Sequence, residues 1–243
     1  MTRPRAAMLL AAGLGTRMRP LTEAIPKPLL TLGGRTLLDH ALDRLAAAGV
    51  ATVVVNAHRH VEQMAAHLAA RDTGPRTLLQ REAALLNTGG SVRAALDLLG
   101  AGPFFVVNGD SFWLDGPTSA LGRVAAAWNA ASADAVLLVH RTCQTQAETG
   151  PGDFALDQRG AVRRRRNREI VPYIYAGIQL VAPGLLAGLP EGSFSMNLVW
   201  DRAIAAGRLR ALVHDGLWFH LSTPADLAAA EATLYAQAIA DTR

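Results

Sequence analysis

The chain has 243 residues, of which half are hydrophobic and 18% are charged. This balance indicates one α/β domain, or two small ones sharing a core, and excludes a disordered chain. No apolar stretch approaches the roughly 18–20 residues that a membrane span needs, and the N-terminal residues show no signal-peptide pattern. A single cysteine, Cys143, allows no internal disulfide. We therefore expect a soluble cytoplasmic protein.

The net charge is +4, and 23 of the 24 basic residues are arginines that are mostly scattered along the chain. The one concentrated group consists of Arg163 to Arg166 together with Arg168. Aromatic residues make up only 5% of the chain. Nucleic-acid binding needs a concentrated basic face with interleaved aromatic side chains. We expect no nucleic-acid partner. The arginine run is interpreted as a solvated strand edge, with attraction of an acidic substrate as the alternative.

The first 140 residues alternate short apolar runs with segments of helical periodicity. The predicted strands are Ala6–Leu10, Thr52–Val55, Arg76–Leu79, Phe104–Val107 and Ala135–Val139, and the predicted helices are Leu37–Ala48, Val61–Ala70, Ser91–Leu99 and Leu121–Ala131. This alternation predicts an α/β fold with a doubly wound, mostly parallel sheet. Such sheets bind ligands at the carboxyl ends of their strands, which directs attention to the loops after Leu10, Gln80 and Val107.

Residues 141–222 lose this alternation and predict a smaller, mixed-sheet part. The predicted strands there are Asp153–Leu156, Ala161–Arg163, Tyr173–Val181, Leu209–Val213 and Leu217–Leu221, with one helix at Met196–Ala206. The segment from Thr223 to Asp226 has the residues of a helix start, and the final helix is predicted to run to about Ala240. We interpret residues 1–243 as a single domain in which the second half covers a site formed by the first.

A glycine-containing loop, LAAGLGTRM, follows the first predicted strand. Gly13 and Gly15 let backbone N–H groups turn inward and approach phosphate oxygens closely. Met18 stands where the dinucleotide-binding fingerprint needs a small residue, and the Gly-Lys-Ser/Thr ending of the ATPase P-loop is absent. The loop therefore predicts phosphate binding of another type, with its own arginine, Arg17.

Lys27 is the only lysine of the chain and stands between two prolines in the string IPKPL. The prolines restrict the backbone on both sides. Because the chain has arginine at every other basic position, a lysine here indicates that the position needs a compact ammonium that fits among phosphates. An incidental cation in a surface loop is the alternative.

Asp110 ends the string VVNGD, directly after a predicted buried strand. Magnesium binds proteins through one or two carboxylates together with substrate phosphates. A carboxylate at this edge of the sheet therefore predicts a Mg²⁺ ligand, although an aspartate after a strand is often only a cap.

Taken together, LAAGLGTRMRPLT, IPKPLL and the strand ending in NGD resemble the sugar-1-phosphate nucleotidyltransferases over nearly the whole chain. The chain is short and most resembles the compact branch that contains N-acetylmuramate-1-phosphate uridylyltransferase, a similarity supported by LLNTGGSV, FSMNLVWDRAIAAGR and LWFHLSTPADLAAAEATL. The resemblance implies a Rossmann-like fold of the nucleotide-diphospho-sugar transferase type. It also implies a nucleotide-binding half at 1–140, a sugar-binding part at 141–222 and a C-terminal helix at 223–243.

The resemblance further implies a role for each matching residue. The nucleoside would lie on Leu10, Ala11, Ala12 and Gly13, and the β- and γ-phosphates on Gly15, Thr16 and Arg17. Lys27 would bridge the α-phosphate and the incoming sugar phosphate, and Asp110 would coordinate Mg²⁺. Gly89 and Gly90, expected in the loop after the third strand, would contact the base and ribose, and Gly177 and Asn197 would lie near the sugar phosphate.

Two positions depart from the family pattern. Relatives have Trp-x-Asp-x-Gly-Thr near the C-terminus, whose aspartate is the second metal ligand, and this chain has Trp218-Phe219-His220-Leu221-Ser222-Thr223. Imidazole is a poor magnesium ligand, so His220 is a candidate metal ligand that acts through water, a candidate direct contact to substrate or a packing residue. Asn87 stands where the branch usually has glutamate before Thr-Gly-Gly and is a candidate sugar-hydroxyl contact.

The implied reaction joins a nucleoside triphosphate, UTP by the branch resemblance, to a sugar 1-phosphate with release of pyrophosphate. The sugar would be N-acetylmuramate 1-phosphate, in peptidoglycan recycling for the cell wall. The alternatives are a mannose-1-phosphate guanylyltransferase and a non-catalytic sugar-nucleotide sensor, the latter prompted by His220. We expect a monomer or a small homo-oligomer.

Overall fold

The computed structural model describes residues 3–145 and 150–241. The strands are β1 (Ala6–Leu10), β2 (Thr31–Leu32), β3 (Arg35–Thr36), β4 (Thr52–Ala57), β5 (Arg76–Arg81), β6 (Phe104–Asn108), β7 (Phe112–Leu114), β8 (Ala135–Arg141), β9 (Phe154–Leu156), β10 (Val162–Arg164), β11 (Tyr173–Val181), β12 (Leu209–Val213) and β13 (Leu217–Phe219). The helices are α1 (Leu37–Ala47), α2 (Val61–Ala69), α3 (Asn87–Ala94), α4 (Leu96–Leu99), α5 (Ala120–Ala127), α6 (Met196–Ala205) and α7 (Pro224–Asp241).

Nine strands form one mixed central sheet. Strands β5, β4, β1 and β6 are parallel and adjacent in that order. Strand β11 then pairs antiparallel with β6 on one side and with β8 on the other, and β12 lies parallel to β8. The short antiparallel pair β9–β10 attaches at the start of β11. The predicted α/β class with a mostly parallel, mixed sheet is confirmed.

Helices cover both faces of the sheet because successive buried residues of its strands point to opposite sides. In β1, Ala7 and Leu9 join the core formed with α1, α2 and α5, while Met8 joins the core formed with α3, α4 and α6. The carboxyl ends of β1, β4 and β6 thus emerge from a sheet that is buried on both faces. No helix in the described ranges is long and apolar enough to cross a bilayer.

The structure differs from the sequence predictions at several boundaries. Strand β8 does not lie beside the parallel strands of the first half, because β11 is inserted between β6 and β8. Helix α3 begins at Asn87 rather than Ser91, so Gly89 and Gly90 lie in a helix and the prediction of a loop there is wrong. Strand β13 ends at Phe219, which leaves His220 beyond it.

Gly177 allows β11 to lie close to the turn that follows β6. Its φ is +80°, and an added Cβ would lie 1.8 Å from Ser111 Oγ and 3.3 Å from Asn108 Cβ. The pairing of β11 with β8 shifts register between Tyr175 and Ile178, on either side of this glycine. A side chain here would push β11 away from the segment that carries Asp110.

We predict that Gly177→Ala lowers the free energy of unfolding by about 2–4 kcal/mol, from left-handed strain together with overpacking against Ser111. Gly49 is the matched control, because its φ is +83° and an added Cβ would meet nothing within 4 Å. Gly49→Ala should cost only about 1 kcal/mol. Urea denaturation of both variants measures the difference, and equal losses would contradict the close approach.

Candidate active site

The glycine loop after β1 lines a cavity of about 480 Å³. Gly15 has a φ of +61°, and its carbonyl accepts hydrogen bonds from the Met18 amide at 2.9 Å and the Thr22 hydroxyl at 2.7 Å. An added Cβ on Gly15 would lie 3.0 Å from Thr22 Cγ2, so the position favours glycine on two grounds. The cavity is bordered by all the residues predicted in this loop: Leu10, Ala11, Ala12, Gly13, Gly15, Thr16 and Arg17.

A buried polar network supports this loop from below. Asn56 lies near the end of β4, and its Oδ1 accepts a hydrogen bond from the Ala11 amide at 2.6 Å. Its amide nitrogen donates to Glu82 Oε1 at 2.7 Å and to Ser91 Oγ at 3.0 Å. These three side chains are almost fully buried and border the cavity. Sequence reasoning missed them as site residues, although an asparagine that ends a β-branched run is a polar residue on a buried strand.

Lys27 and Asp110, which are 83 residues apart, meet in an ion pair on the cavity wall. Lys27 Nζ lies 2.6 Å from Asp110 Oδ2, and the two side chains are 10% and 43% exposed. The Gly109 amide donates to the Leu10 carbonyl at 2.8 Å, which ties the segment of Asp110 to the end of β1. The lysine is therefore a held, buried cation whose charge is partly balanced before any substrate binds.

A second cavity of about 400 Å³ adjoins the first. The residues that border both cavities are Leu10, Arg17, Thr88, Asn108, Asp110 and Ser222. Gly177, Asn197 and His220 border only the second of the two, and Lys27 and Asn87 border only the first. Arg17 and Asp110 thus stand on the shared wall, where a group transferred between two bound substrates would have to pass.

His220 borders the second cavity, and its surroundings favour the neutral imidazole. Burial lowers its pKa; the carboxylates of Asp226 and Asp110 oppose that shift, and the cations Arg17 and Lys27 add to it. Its Nε2 lies 2.7 Å from Ser222 Oγ. His220 thus has a hydrogen-bond partner of its own, and its predicted metal contact stays a prediction.

Gly89 and Gly90 lie behind the first cavity rather than on its wall. Both amides donate to the Phe194 carbonyl, at 2.8 and 3.0 Å. An added Cβ would lie 2.5 Å from the Phe194 ring at the first position and 2.1 Å from the Gly192 carbonyl oxygen at the second. Their predicted contact with base and ribose stays a prediction, and in this structure they let α3 pack against the segment before α6.

The donor set on the shared wall fits a magnesium ion that is bound mainly by substrate. Within the described residues, no group of three or more histidine, cysteine, aspartate or glutamate side chains could hold a metal ion. Asp110 offers one carboxylate that is partly exposed and has only one oxygen in contact with Lys27. Magnesium requires no more than one or two carboxylates when phosphates supply further oxygens.

Comparison with known proteins agrees with this geometry. Residues 6–164 match the Nucleotidyl transferase family. The chain is 43% identical to the N-acetylmuramate alpha-1-phosphate uridylyltransferase of Caulobacter vibrioides over 95% of this chain and 97% of that one. It is 33% identical to the protein of the same name from Neisseria meningitidis serogroup B, over 93% and 96% of the two chains.

The fold is also similar to a solved structure, UDP-glucose pyrophosphorylase in complex with UDP-glucose. The TM-score is 0.78 at 14% identity, with 96% of this chain and 99% of that chain covered. That likeness concerns the fold, and the sequence matches carry the assignment. The chain belongs to the nucleotidyl transferase family.

Proposed function

We propose that this protein is an N-acetylmuramate α-1-phosphate uridylyltransferase, which converts UTP and the sugar 1-phosphate into UDP-N-acetylmuramate and pyrophosphate. The observation that carries the proposal is the wall between the two cavities, where Arg17 and Asp110 face both. The uridylyltransferase relatives, similar over nearly their full length, support the choice of nucleotide and sugar. We place the reaction in the cytoplasm and in peptidoglycan recycling.

The reaction is an in-line displacement at the α-phosphorus of the nucleotide. An oxygen of the sugar phosphate forms the new bond to phosphorus, the bond to the β-phosphate bridging oxygen breaks, and pyrophosphate leaves with the electron pair. The attacking oxygen is already ionised at neutral pH, so no general base is required. Catalysis then depends on positioning and on neutralising negative charge.

The predicted site residues around the two cavities have separate roles in this scheme. The loop from Gly15 to Arg17 holds the β- and γ-phosphates with backbone N–H groups and one guanidinium. Lys27, fixed by Asp110 at 2.6 Å, holds the α-phosphate against the sugar phosphate. The residues from Leu10 to Gly13 hold the nucleoside, while Asn87, Gly177 and Asn197 are assigned to the sugar side.

We assign Asp110 as the protein ligand of Mg²⁺ and keep His220 as a candidate for a second contact. When bound, the ion supplies positive charge to the phosphate oxygens. The role of Lys27 differs from that of the ion, because its ammonium belongs to the protein. The residue is only 8% exposed. It is already in place when the nucleotide arrives.

The first experiment measures pyrophosphate release, with magnesium, across pairs of nucleoside triphosphate and sugar 1-phosphate. We expect turnover with UTP and N-acetylmuramate 1-phosphate. Preference for GTP with mannose 1-phosphate would replace the proposal by a guanylyltransferase. Nucleotide binding without turnover of any pair would indicate a sensor.

A second prediction concerns the buried cation. Lys27→Ala should lower kcat by about 10²–10³-fold, as expected for loss of a fixed charge at the reacting phosphate, and should change UTP affinity far less. Arg19→Ala is the matched control, since Arg19 is exposed and borders neither of the two cavities. Steady-state kinetics and equilibrium UTP binding separate the two effects. Equal losses in kcat and affinity would assign Lys27 to ordinary ground-state binding.

A further inference from the structure

One arginine of the run 163–166 differs from its neighbours in its surroundings. Strand β10 alternates its side chains, so Arg164 shares a side with buried Val162 while Arg163 faces the other way. Arg163 is exposed and forms an ion pair with Glu169 at 2.5 Å. Arg164 borders the second cavity, the one assigned to the sugar.

The guanidinium of Arg164 is held in a fixed position. Arg164 Cζ lies 5.2 Å from the centre of the Phe154 ring and 5.5 Å from the centre of the Trp200 ring, so the guanidinium packs against two aromatic rings. Nε donates to Asp201 Oδ1 at 2.7 Å, and Nη1 and Nη2 donate to the side-chain and backbone oxygens of Asn197, both at 3.0 Å.

These three bonds leave donor capacity on the guanidinium. It has about five N–H groups, so among the described residues one N–H on each terminal nitrogen of Arg164 remains without a partner. Nη1 and Nη2 use their parallel N–H groups for Asn197, so the two remaining ones point to different sides, and each can donate to one oxygen of an anion. Asn197, predicted as a sugar-phosphate contact, acts here as a positioning residue for the arginine.

Polar side chains on the wall of this cavity indicate a binding site for a polar ligand. Gln179 is fully buried; its Oε1 accepts from Trp200 Nε1 at 2.7 Å, and its Nε2 has no hydrogen-bond partner in the described structure. The buried hydroxyl of Tyr175 interacts with the side chain of Gln179. Both residues border the cavity, so its wall offers polar groups to a ligand.

The charges around the cavity point to an anion at Arg164. Besides His220, its charged border residues are Arg17, Asp110, Asp153 and Arg164. Arg17 and Asp110 also border the nucleotide cavity, where phosphates and magnesium are assigned, and Asp153 accepts a hydrogen bond from the Tyr175 amide at 2.9 Å. Arg164 pairs through Nε with Asp201, and its terminal nitrogens make it the cation that borders the part of the sugar that does not react.

We propose that Arg164 forms a carboxylate subsite that binds the lactyl group of an N-acetylmuramyl substrate and so selects it over uncharged hexosamines. The inference rests on the proposed function, because the lactyl ether at O3 is what adds a carboxylate to N-acetylglucosamine. The phosphate of the same substrate is engaged at the wall with Lys27 and Asp110, which leaves the carboxylate as the anion for Arg164.

The test compares N-acetylmuramate 1-phosphate with its lactyl carboxamide, a neutral compound of nearly the same shape, at saturating UTP. Wild-type kcat/KM should favour the carboxylate by about 10–100-fold, the value of a charge-assisted hydrogen bond. Arg164→Gln should abolish that preference through KM, with kcat and the kcat/KM of the carboxamide little changed. The matched control Arg163→Gln should keep the wild-type ratio.

The outcomes separate the two proposals. Equal use of both compounds by the wild type, or an unchanged preference in Arg164→Gln, would overturn the subsite and leave the uridylyltransferase assignment intact. Absence of turnover with either compound would instead contradict the assignment itself. If Arg164→Gln loses activity with both compounds through misfolding, the wild-type ratio still decides, and Arg164→Lys, which keeps the charge without the fork, should retain only part of the preference.

Discussion

The pairing of β1 between β4 and β6 is the constraint on which the site depends. Parallel register places Leu10 opposite Asn108, and therefore brings the glycine loop and the turn with Asp110 out at the same edge. On the other side, Asn56 is the last residue but one of β4, and its side chain accepts a hydrogen bond from the Ala11 amide at 2.6 Å. Three strands that are distant in sequence thus position Asn56, the glycine loop and Asp110 in one site. Each strand is held by backbone hydrogen bonds in a sheet that is buried on both faces.

The Lys27–Asp110 pair shows how this arrangement tolerates a nearly buried charge. A buried ammonium without a partner is strongly unfavourable, and removing one member of such a pair usually destabilises a protein. Here Asp110 is 43% exposed on its side chain, so the pair lies at the edge of the cavity and not deep in the core. In the proposed reaction, the incoming phosphates would compete with Asp110 for the ammonium, and a metal ion would compete with Lys27 for the carboxylate. The ion pair keeps the ammonium and the carboxylate in position and leaves both able to bind another partner.

Sequence reasoning selected residues that the structure brings together around one cavity, while their roles stay predictions. Gly15 and Lys27 stand in short strings whose backbone demands are visible without a structure, and Asp110 follows a run of buried residues at a strand end. Residues that depend on packing were missed as site residues. Gln179 and Tyr175 lie in a long apolar strand whose pattern gives no direction or neighbours, so neither the insertion of β11 between β6 and β8 nor the cavity beside it could be derived.

The helix at residues 87–94 shows a second limit of the same reasoning. The predicted helix begins at Ser91, and the resemblance puts Gly89 and Gly90 in the loop before it, in line with the tendency of glycine to destabilise a helix interior. The structure has a helix there, and its packing requires glycine at both positions, because a Cβ would collide with Phe194 and Gly192. The local preference is overcome by close packing between α3 and the segment before α6, a contact between residues more than 100 positions apart.

The arginine run shows why composition alone does not identify a binding surface. Four consecutive arginines indicate a basic patch, yet alternation along β10 divides adjacent members between different surroundings. Arg163 is neutralised by Glu169, whose pKa is lowered to about 2 by that guanidinium and by the Arg166 amide. Arg164 pairs with Asp201 through Nε and lies against Phe154 and Trp200 at the edge of the second cavity. Selectivity for an acidic sugar would then come from one oriented guanidinium on a strand, and the charge of the other arginines would contribute little to it.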